Sequence, residues 1–215
     1  MTDEARRQSI CLAMIVRDEA HIVGEVLDAT APHIDYWVVV DTGSTDGTQD
    51  VIGSHMARLG IPGELHERPW RDFGHNRSEA LTLAQGKADY IWMMDADDTV
   101  IGVPPFSGLT ADGYNLRIRV GSERFWRRQL FRDGVPWFYR GVLHEYTQCD
   151  GPFTEANLDG DYPRRCRCRS PGFSRRCLVH PSAGSSHDGA EHDDPRRPCA
   201  RDRHQPTVAL RTRRT

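Results

Sequence analysis

Tyr90-Ile91-Trp92-Met93-Met94-Asp95-Ala96-Asp97-Asp98 is an apolar run that stops abruptly in carboxylates. The run has the length and character of a buried strand. Three acids at the tip of such a strand need a positive partner or open solvent. In an open α/β sheet, ligands bind just beyond the carboxyl ends of the strands. Asp95 and Asp97, one residue apart, are the donor type that a hard divalent cation such as Mg²⁺ or Mn²⁺ takes. Without a cation, close carboxylates raise each other's pKa. Taken alone, the stretch also reads as a solvated acidic turn.

Two further runs carry the same pattern. Tyr36-Trp37-Val38-Val39-Val40 ends in Asp41-Thr42-Gly43-Ser44-Thr45-Asp46-Gly47-Thr48. Gly43 permits a tight turn. Asp46 with Gln49 resembles a capped helix start, and Ile52, His55, Met56 and Leu59 then fall on one helical face. Asp41 by itself would pass as a turn residue; Ser44, Thr45 and Thr48 read as turn and cap residues. Ile10 to Val16 is apolar throughout, as buried parallel strands are, and ends in Arg17-Asp18-Glu19. A helix follows to about Thr30, with Val23, Val26 and Leu27 inward and Pro32 just past its end. A weak strand near Glu64 to Glu67 and a helix from about Gly74 to Gln85 complete the alternation. It predicts an α/β fold: an open, mostly parallel sheet with helices on both faces. Right-handed crossovers place the tips at Arg17, Asp41 and Asp95 on one edge.

Four segments in order, MIVRDE (Met14 to Glu19), VVVDTGSTDGT (Val38 to Thr48), FGHNRSEAL (Phe73 to Leu81) and MMDADD (Met93 to Asp98), resemble the family 2 glycosyltransferases with the GT-A fold, a Rossmann-related sheet. The likeness covers roughly residues 8–150. It is closest to a branch whose members often carry helical repeats after the catalytic domain. The resemblance implies that Asp41 binds the nucleoside base, with Glu19 and Arg17 lining the same pocket. It implies that Arg77 reaches the nucleotide or the metal-site acids. Asp95 and Asp97 would hold the metal and the sugar-nucleotide diphosphate, with Asp98 a weaker candidate. The implied chemistry is transfer of a sugar from a nucleoside-diphosphate donor, with probable inversion written here as the family expectation. A metal would neutralise charge on the leaving diphosphate, and Arg77 could add charge-assisted hydrogen bonds.

An inverting enzyme also needs a general base. Trp137-Phe138-Tyr139-Arg140-Gly141-Val142-Leu143-His144-Glu145-Tyr146 resembles the Y-x-G-x-x-HE segment of the same branch. It makes Glu145 the candidate base and His144 a candidate further metal ligand. A hydrogen-bonded structural His-Glu pair is the alternative. Asp112, Glu123 and Asp133 compete without special context. From Tyr114 to Phe131 the chain reads as strands flanking the site, carrying Arg117, Arg119, Arg124, Arg127 and Arg128, with Arg132 just beyond. This is either a solvated basic face or a source of one or two arginines for diphosphate or an anionic acceptor. Trp126, Trp137, Phe138 and Tyr139 could stack on a sugar, though aromatics so spaced usually fill a core.

The 215 residues suit one domain, or one domain plus a tail. No apolar run approaches the ~20 residues that span a membrane, so a cytoplasmic location is expected, with peripheral membrane contact left open. Six cysteines, Cys11 among them in an apolar strand, do not form a secreted disulfide framework. The net charge of −3 hides a split: residues 163–215 hold 13 arginines against five acids, a balance of +8. That segment is poor in aliphatic residues and is expected to be disordered, with 151–162 the domain end or a linker. Its Cys166, Cys168, Cys177 and Cys199 fit no common zinc spacing. Nucleic-acid binding would rest on these arginines alone. A third reading is a shifted or truncated frame, since composition changes at Pro163 and the chain has a single lysine, Lys87, among 28 basic residues.

The sequence therefore predicts a metal-dependent hexosyltransferase using Mn²⁺ or Mg²⁺. Its donor would be a nucleoside-diphosphate sugar, UDP being the commonest for this fold, and its acceptor an unidentified glycan, lipid or peptide. The alternative is a truncated or inactive domain that binds nucleotide sugar without turnover. A sugar-phosphate nucleotidyltransferase would need a glycine-rich loop where Arg17-Asp18-Glu19-Ala20 stands.

Overall fold

Each of the three apolar runs forms a strand. The computed structural model describes residues 7–100, 102–120, 122–142 and 145–163. In chain order these form β1 (Ile10–Val16), α1 (Val23–Thr30), a 3₁₀ turn (Ala31–His33), β2 (Tyr36–Asp41), α2 (Thr48–Leu59), β3 (Gly63–Glu67), α3 (Phe73–Ala84) and β4 (Tyr90–Met94). Then follow β5 (Gly113–Val120), β6 (Glu123–Arg132), β7 (Trp137–Arg140), β8 (Tyr146–Cys149) and β9 (Glu155–Pro163). Seven strands make one sheet in the order β3-β2-β1-β4-β6-β5-β9, while β7 and β8 form a separate antiparallel pair. Within the large sheet β6 alone runs against its neighbours. The fold is thus the α/β, mostly parallel sheet that the alternation of elements predicts.

The two faces of β1 explain why it has no polar residue. Ile10, Leu12, Met14 and Val16 pack with Val23, Val26 and Leu27 of α1 and with Ile52 and Met56 of α2. Cys11 and Ala13 face the other way, with Val38, Val40, Ile91 and Met93, onto Ala80, Leu81 and Ala84 of α3. Helices therefore cover both faces, and each fully buried Leu, Ile or Met contributes about 1.5–3 kcal/mol. Burial also pushes the Cys11 thiol up to about 12, so it is an inert core residue. Cys11 and Cys149 are both free thiols.

Helix ends follow local chemistry. Asp72 caps α3, its carboxylate accepting from the His75 N–H at 2.7 Å. The start of α2 departs from the expected Asp46–Gln49 capping pair. Its N-cap is Gly47, at φ 89°, because the chain must turn through a left-handed residue before entering the helix. Asp46 stands one residue earlier and accepts from the Thr48 and Ala20 N–H groups, each at 3.0 Å.

β9 pairs in parallel with β5, within the stretch that composition leaves as domain end or linker. The chain divides into two units, residues 1–178 and 179–215, and all described residues lie in the first. The tail expected to be disordered, with four of the cysteines, lies outside the described residues from 164 on. Among the described residues no helix is long and apolar enough to cross a membrane.

Candidate active site

Strand register brings the expected tips to one edge. Val16 pairs with Asp41, and Asp41 with Glu67. Met14 pairs with Met94, which sets Asp95 one residue beyond the sheet. Asp41 is fully buried. Its Oδ1 accepts from the N–H groups of Gly43 and Ser44, both at 2.9 Å, while its buried Oδ2 has no hydrogen-bond partner among the described residues. Such an acceptor costs about 1–3 kcal/mol if left unsatisfied.

The loop after β1 is clasped to this turn. The Asp18 N–H donates to Ser44 Oγ at 2.9 Å, the Thr45 N–H to Asp18 Oδ1 at 2.8 Å, and the Glu19 N–H to Thr48 Oγ1 at 2.8 Å. Asp18 takes a positive φ of 53° to make these bonds, a conformation that Asp tolerates better than most residues. Ser44, Thr45 and Thr48 act here as turn residues. The clasp fixes Glu19, which is buried, and the more exposed Arg17 beside Asp41.

A buried charge cluster forms at the β4 tip. Arg77, on α3, is only 2% exposed and forms an ion pair with Asp95 Oδ1. Its Nε lies 3.1 Å from Oε1 of Glu145, whose side chain is fully buried. Arg127, from β6, completes the set, with Nη1 at 3.5 Å from Asp95 Oδ2 and Nη2 at 4.0 Å from Glu145 Oε1. Two guanidiniums and two carboxylates balance in charge. Burial by itself would lower the Arg77 pKa, but the neighbouring Asp95, then Tyr139 and Glu145, outweigh it and hold the group above its usual value. Burial raises the Tyr139 phenol despite the pull of Arg77 and Arg127, and the Arg77 guanidinium lies 5.7 Å from that ring's centre.

Asp95, Asp97 and Asp98 each offer a carboxylate oxygen, and these lie within 4.8 Å of one another. The turn is tight: the Asp95 N–H donates to Asp98 Oδ2 at 3.1 Å, and the Asp98 N–H to the Asp95 carbonyl at 3.0 Å. An all-oxygen set of this kind fits a hard cation such as Mg²⁺ or Mn²⁺. Asp98, the weaker sequence candidate, belongs to the same cluster as Asp97. His144, the candidate further ligand, lies outside the described residues.

The structure brings Arg77, Asp95 and Glu145 into contact and sets Asp41, Arg17 and Glu19 at the same sheet edge. The competing acids lie elsewhere. Asp112 accepts from Thr154 N–H at 2.8 Å and Asp133 from Gly86 N–H at 2.8 Å, by the Tyr90–Arg132 end of the β4–β6 pair, and Glu123 starts β6. Trp137 and Tyr139 are core residues, whereas Trp126 is 43% exposed. Arg127 is the residue that sequence reading underrates. Its only signal is position: extending the Trp92–Leu130 register three residues places Arg127 opposite Asp95.

The structure is thus an α/β protein with an acidic, arginine-braced site at the carboxyl edge of its parallel strands. Residues 11–102 match the model of Glycosyl transferase family 2, and the chain carries a glycosyltransferase domain of that family. A TPR repeat-containing protein of Synechococcus elongatus is 35% identical over 97 residues, covering 45% of this chain and 22% of that protein. The chain therefore spans less than a quarter of that relative's length. Among solved structures, a mannosyltransferase of Pyrobaculum calidifontis in complex with GDP-Man and Mn²⁺ is 24% identical, with a TM-score of 0.40 over 45% of this chain and 30% of its own. TarS of S. aureus is 14% identical, with a TM-score of 0.48 over 69% of this chain and 60% of the other. Glucosyl-3-phosphoglycerate synthase of Mycobacterium tuberculosis, with Mn²⁺, UDP-glucose and phosphoglyceric acid, is 20% identical, with a TM-score of 0.39 over 54% and 45% of the two chains.

Proposed function

We propose that this domain moves a sugar from a nucleoside-diphosphate donor to an acceptor hydroxyl, with inversion at the anomeric carbon. The observation that carries the reading is the meeting of Arg77, Arg127, Asp95 and Glu145 beside the carboxylate trio, within a family 2 domain. The nucleoside base sits at the β1 and β2 tips, where the unsatisfied Asp41 Oδ2 accepts from a base N–H. Glu19 and Arg17 line the same pocket.

Asp95, Asp97 and Asp98 would hold the divalent ion, which supplies Lewis-acid neutralisation of the departing diphosphate. His144 is a candidate further ligand. Arg77 fixes the Asp95 carboxylate and raises the positive potential around the leaving group. The acceptor oxygen forms a bond to the anomeric carbon as the bond to the diphosphate oxygen breaks. Glu145 takes the acceptor proton, a contribution of about 10²–10⁴-fold. The nucleoside diphosphate leaves with the bonding electron pair.

One observation favours a second reading. Glu145 is fully buried and held by two guanidiniums, an arrangement that also suits a domain that binds nucleotide sugar without turnover. Release of free nucleotide from UDP-sugar or GDP-sugar, followed with Mn²⁺ over a panel of acceptors, tests the choice. Transfer lost in Glu145→Gln, with nucleotide affinity unchanged, supports catalysis. Tight donor binding with no transfer to any acceptor supports the second reading.

A further inference from the structure

A pocket of about 350 Å³ opens beside Glu145, lined among others by Trp126, Arg127, Arg128, Tyr146 and Thr147. Under the proposed function this is where an acceptor hydroxyl would have to arrive, so the inference rests on that reading. Two features of the pocket's surroundings define the acceptor's chemistry.

The first is charge. From Tyr114 to Arg132 the β5–β6 arm carries Arg117, Arg119, Arg124, Arg127, Arg128 and Arg132, with Glu123 as its one acid. Pairing sets Arg119 directly opposite Arg124 and Arg117 opposite Trp126. Like charges directly opposite each other destabilise an antiparallel pair. An anion seated between them would offset that cost. The second feature is aromatic surface. Trp126 is 43% exposed and Tyr146 54%, although both line the pocket. The Arg117 guanidinium lies 5.8 Å from the Trp126 ring centre, so an apolar ring face and a cation are presented together. A sugar ring stacks on the first and its anionic substituent pairs with the second.

We propose that this pocket takes an acceptor sugar bearing a carboxylate or phosphate, its ring against Trp126 and its charge toward Arg117, Arg119 and Arg124. The test is calorimetry on the full chain with glucuronate, glucose 6-phosphate, glucose and inorganic phosphate, each with and without UDP and Mn²⁺. Expected is affinity for at least one anionic sugar about tenfold or more above that for glucose, and above that for inorganic phosphate. The arm distinguishing the two sugars shows whether the site prefers carboxylate or phosphate. Trp126→Ala should weaken the anionic sugar about tenfold. The R119A/R124A double variant should erase its advantage over glucose, with UDP affinity unchanged in both variants. Equal binding of glucose, equal binding of inorganic phosphate, or a preference that survives in the double variant overturns the proposal. If UDP binds and no anionic sugar does, this proposal falls and the donor site stands. If the sugars bind and no nucleotide does, the donor reading falls while the pocket remains. If nothing binds, both fall.

Discussion

Asp95 shows how a residue's neighbours change what its substitution reports. Sequence alone suggests that Asp95→Ala and Asp97→Ala are equivalent tests of a metal motif. Yet Asp95 pairs with a buried guanidinium, and removing one partner of a buried pair costs about 3–5 kcal/mol. Asp97 is only half-buried. We therefore expect Asp97→Ala to abolish Mn²⁺-dependent nucleotide binding with a nearly unchanged melting temperature, and Asp95→Ala to unfold at clearly lower temperature. Thermal melts beside nucleotide titrations separate the two, and equal melting temperatures would contradict the buried-pair account. Asp41→Asn is the matching test at the base pocket. The amide oxygen can still accept from Gly43 and Ser44, while the buried Oδ2 acceptor becomes a donor. Nucleotide affinity should fall about tenfold, roughly 1.4 kcal/mol, without loss of fold. Unaltered affinity would remove Asp41 from the donor site.

Among the elements, α3 and the loop after β7 must meet closely for Arg77 to reach Glu145. A Cβ added at Gly74 would lie 2.5 Å from the Gly141 carbonyl oxygen. Ser78 ties the same elements, its Oγ accepting from the Tyr139 N–H at 2.8 Å. Gly74→Ala should thus push the loop that leads to Glu145, costing about 1–3 kcal/mol and lowering turnover more than nucleotide affinity. A variant with wild-type turnover and stability would show that the close approach is dispensable. At the far edge, Glu64 of β3 bonds Tyr36 at 2.9 Å and His66 at 2.9 Å, and pairs with Lys87. Lys87, then Tyr36 and His66, draw its carboxyl down to about 2. Because the folded value lies below the unfolded one near 4.3, this stabilisation is complete above that unfolded value. It is lost as pH falls toward 2. Glu64→Gln should cost about 1 kcal/mol at neutral pH, a figure kept small by partial exposure. It should also flatten the acid limb of stability against pH in that window. Parallel acid limbs would contradict the assignment.

Across the whole molecule, the sequence was most readable where one face of physics dominated. β1, β2 and β4 are buried on both faces and need apolar residues throughout, so their runs, and the acids at their ends, stood out. β9 did not, because Glu155-Ala156-Asn157-Leu158 has no such run and its place depends on β5, far away in sequence. Arg127 was hidden for a similar reason. Within an arginine-rich strand nothing local separates a solvated guanidinium from one aimed at Asp95; only the β4–β6 register does. The β-bulge between Tyr114 and Asn115 further upsets any inference of facing from alternation. Asp41 and Asp95 could be named from the chain, but the ion-pair cluster that joins Asp95 to Glu145 is a property of the fold. The central claim is that this edge is a metal-dependent nucleotide-sugar site. It is tested most directly by titrating UDP, GDP and dTDP into the full chain by calorimetry, with and without Mn²⁺. The account predicts saturable binding of one nucleotide that requires Mn²⁺ and disappears in Asp97→Ala; absence of binding by all three, or binding indifferent to the metal, would contradict it.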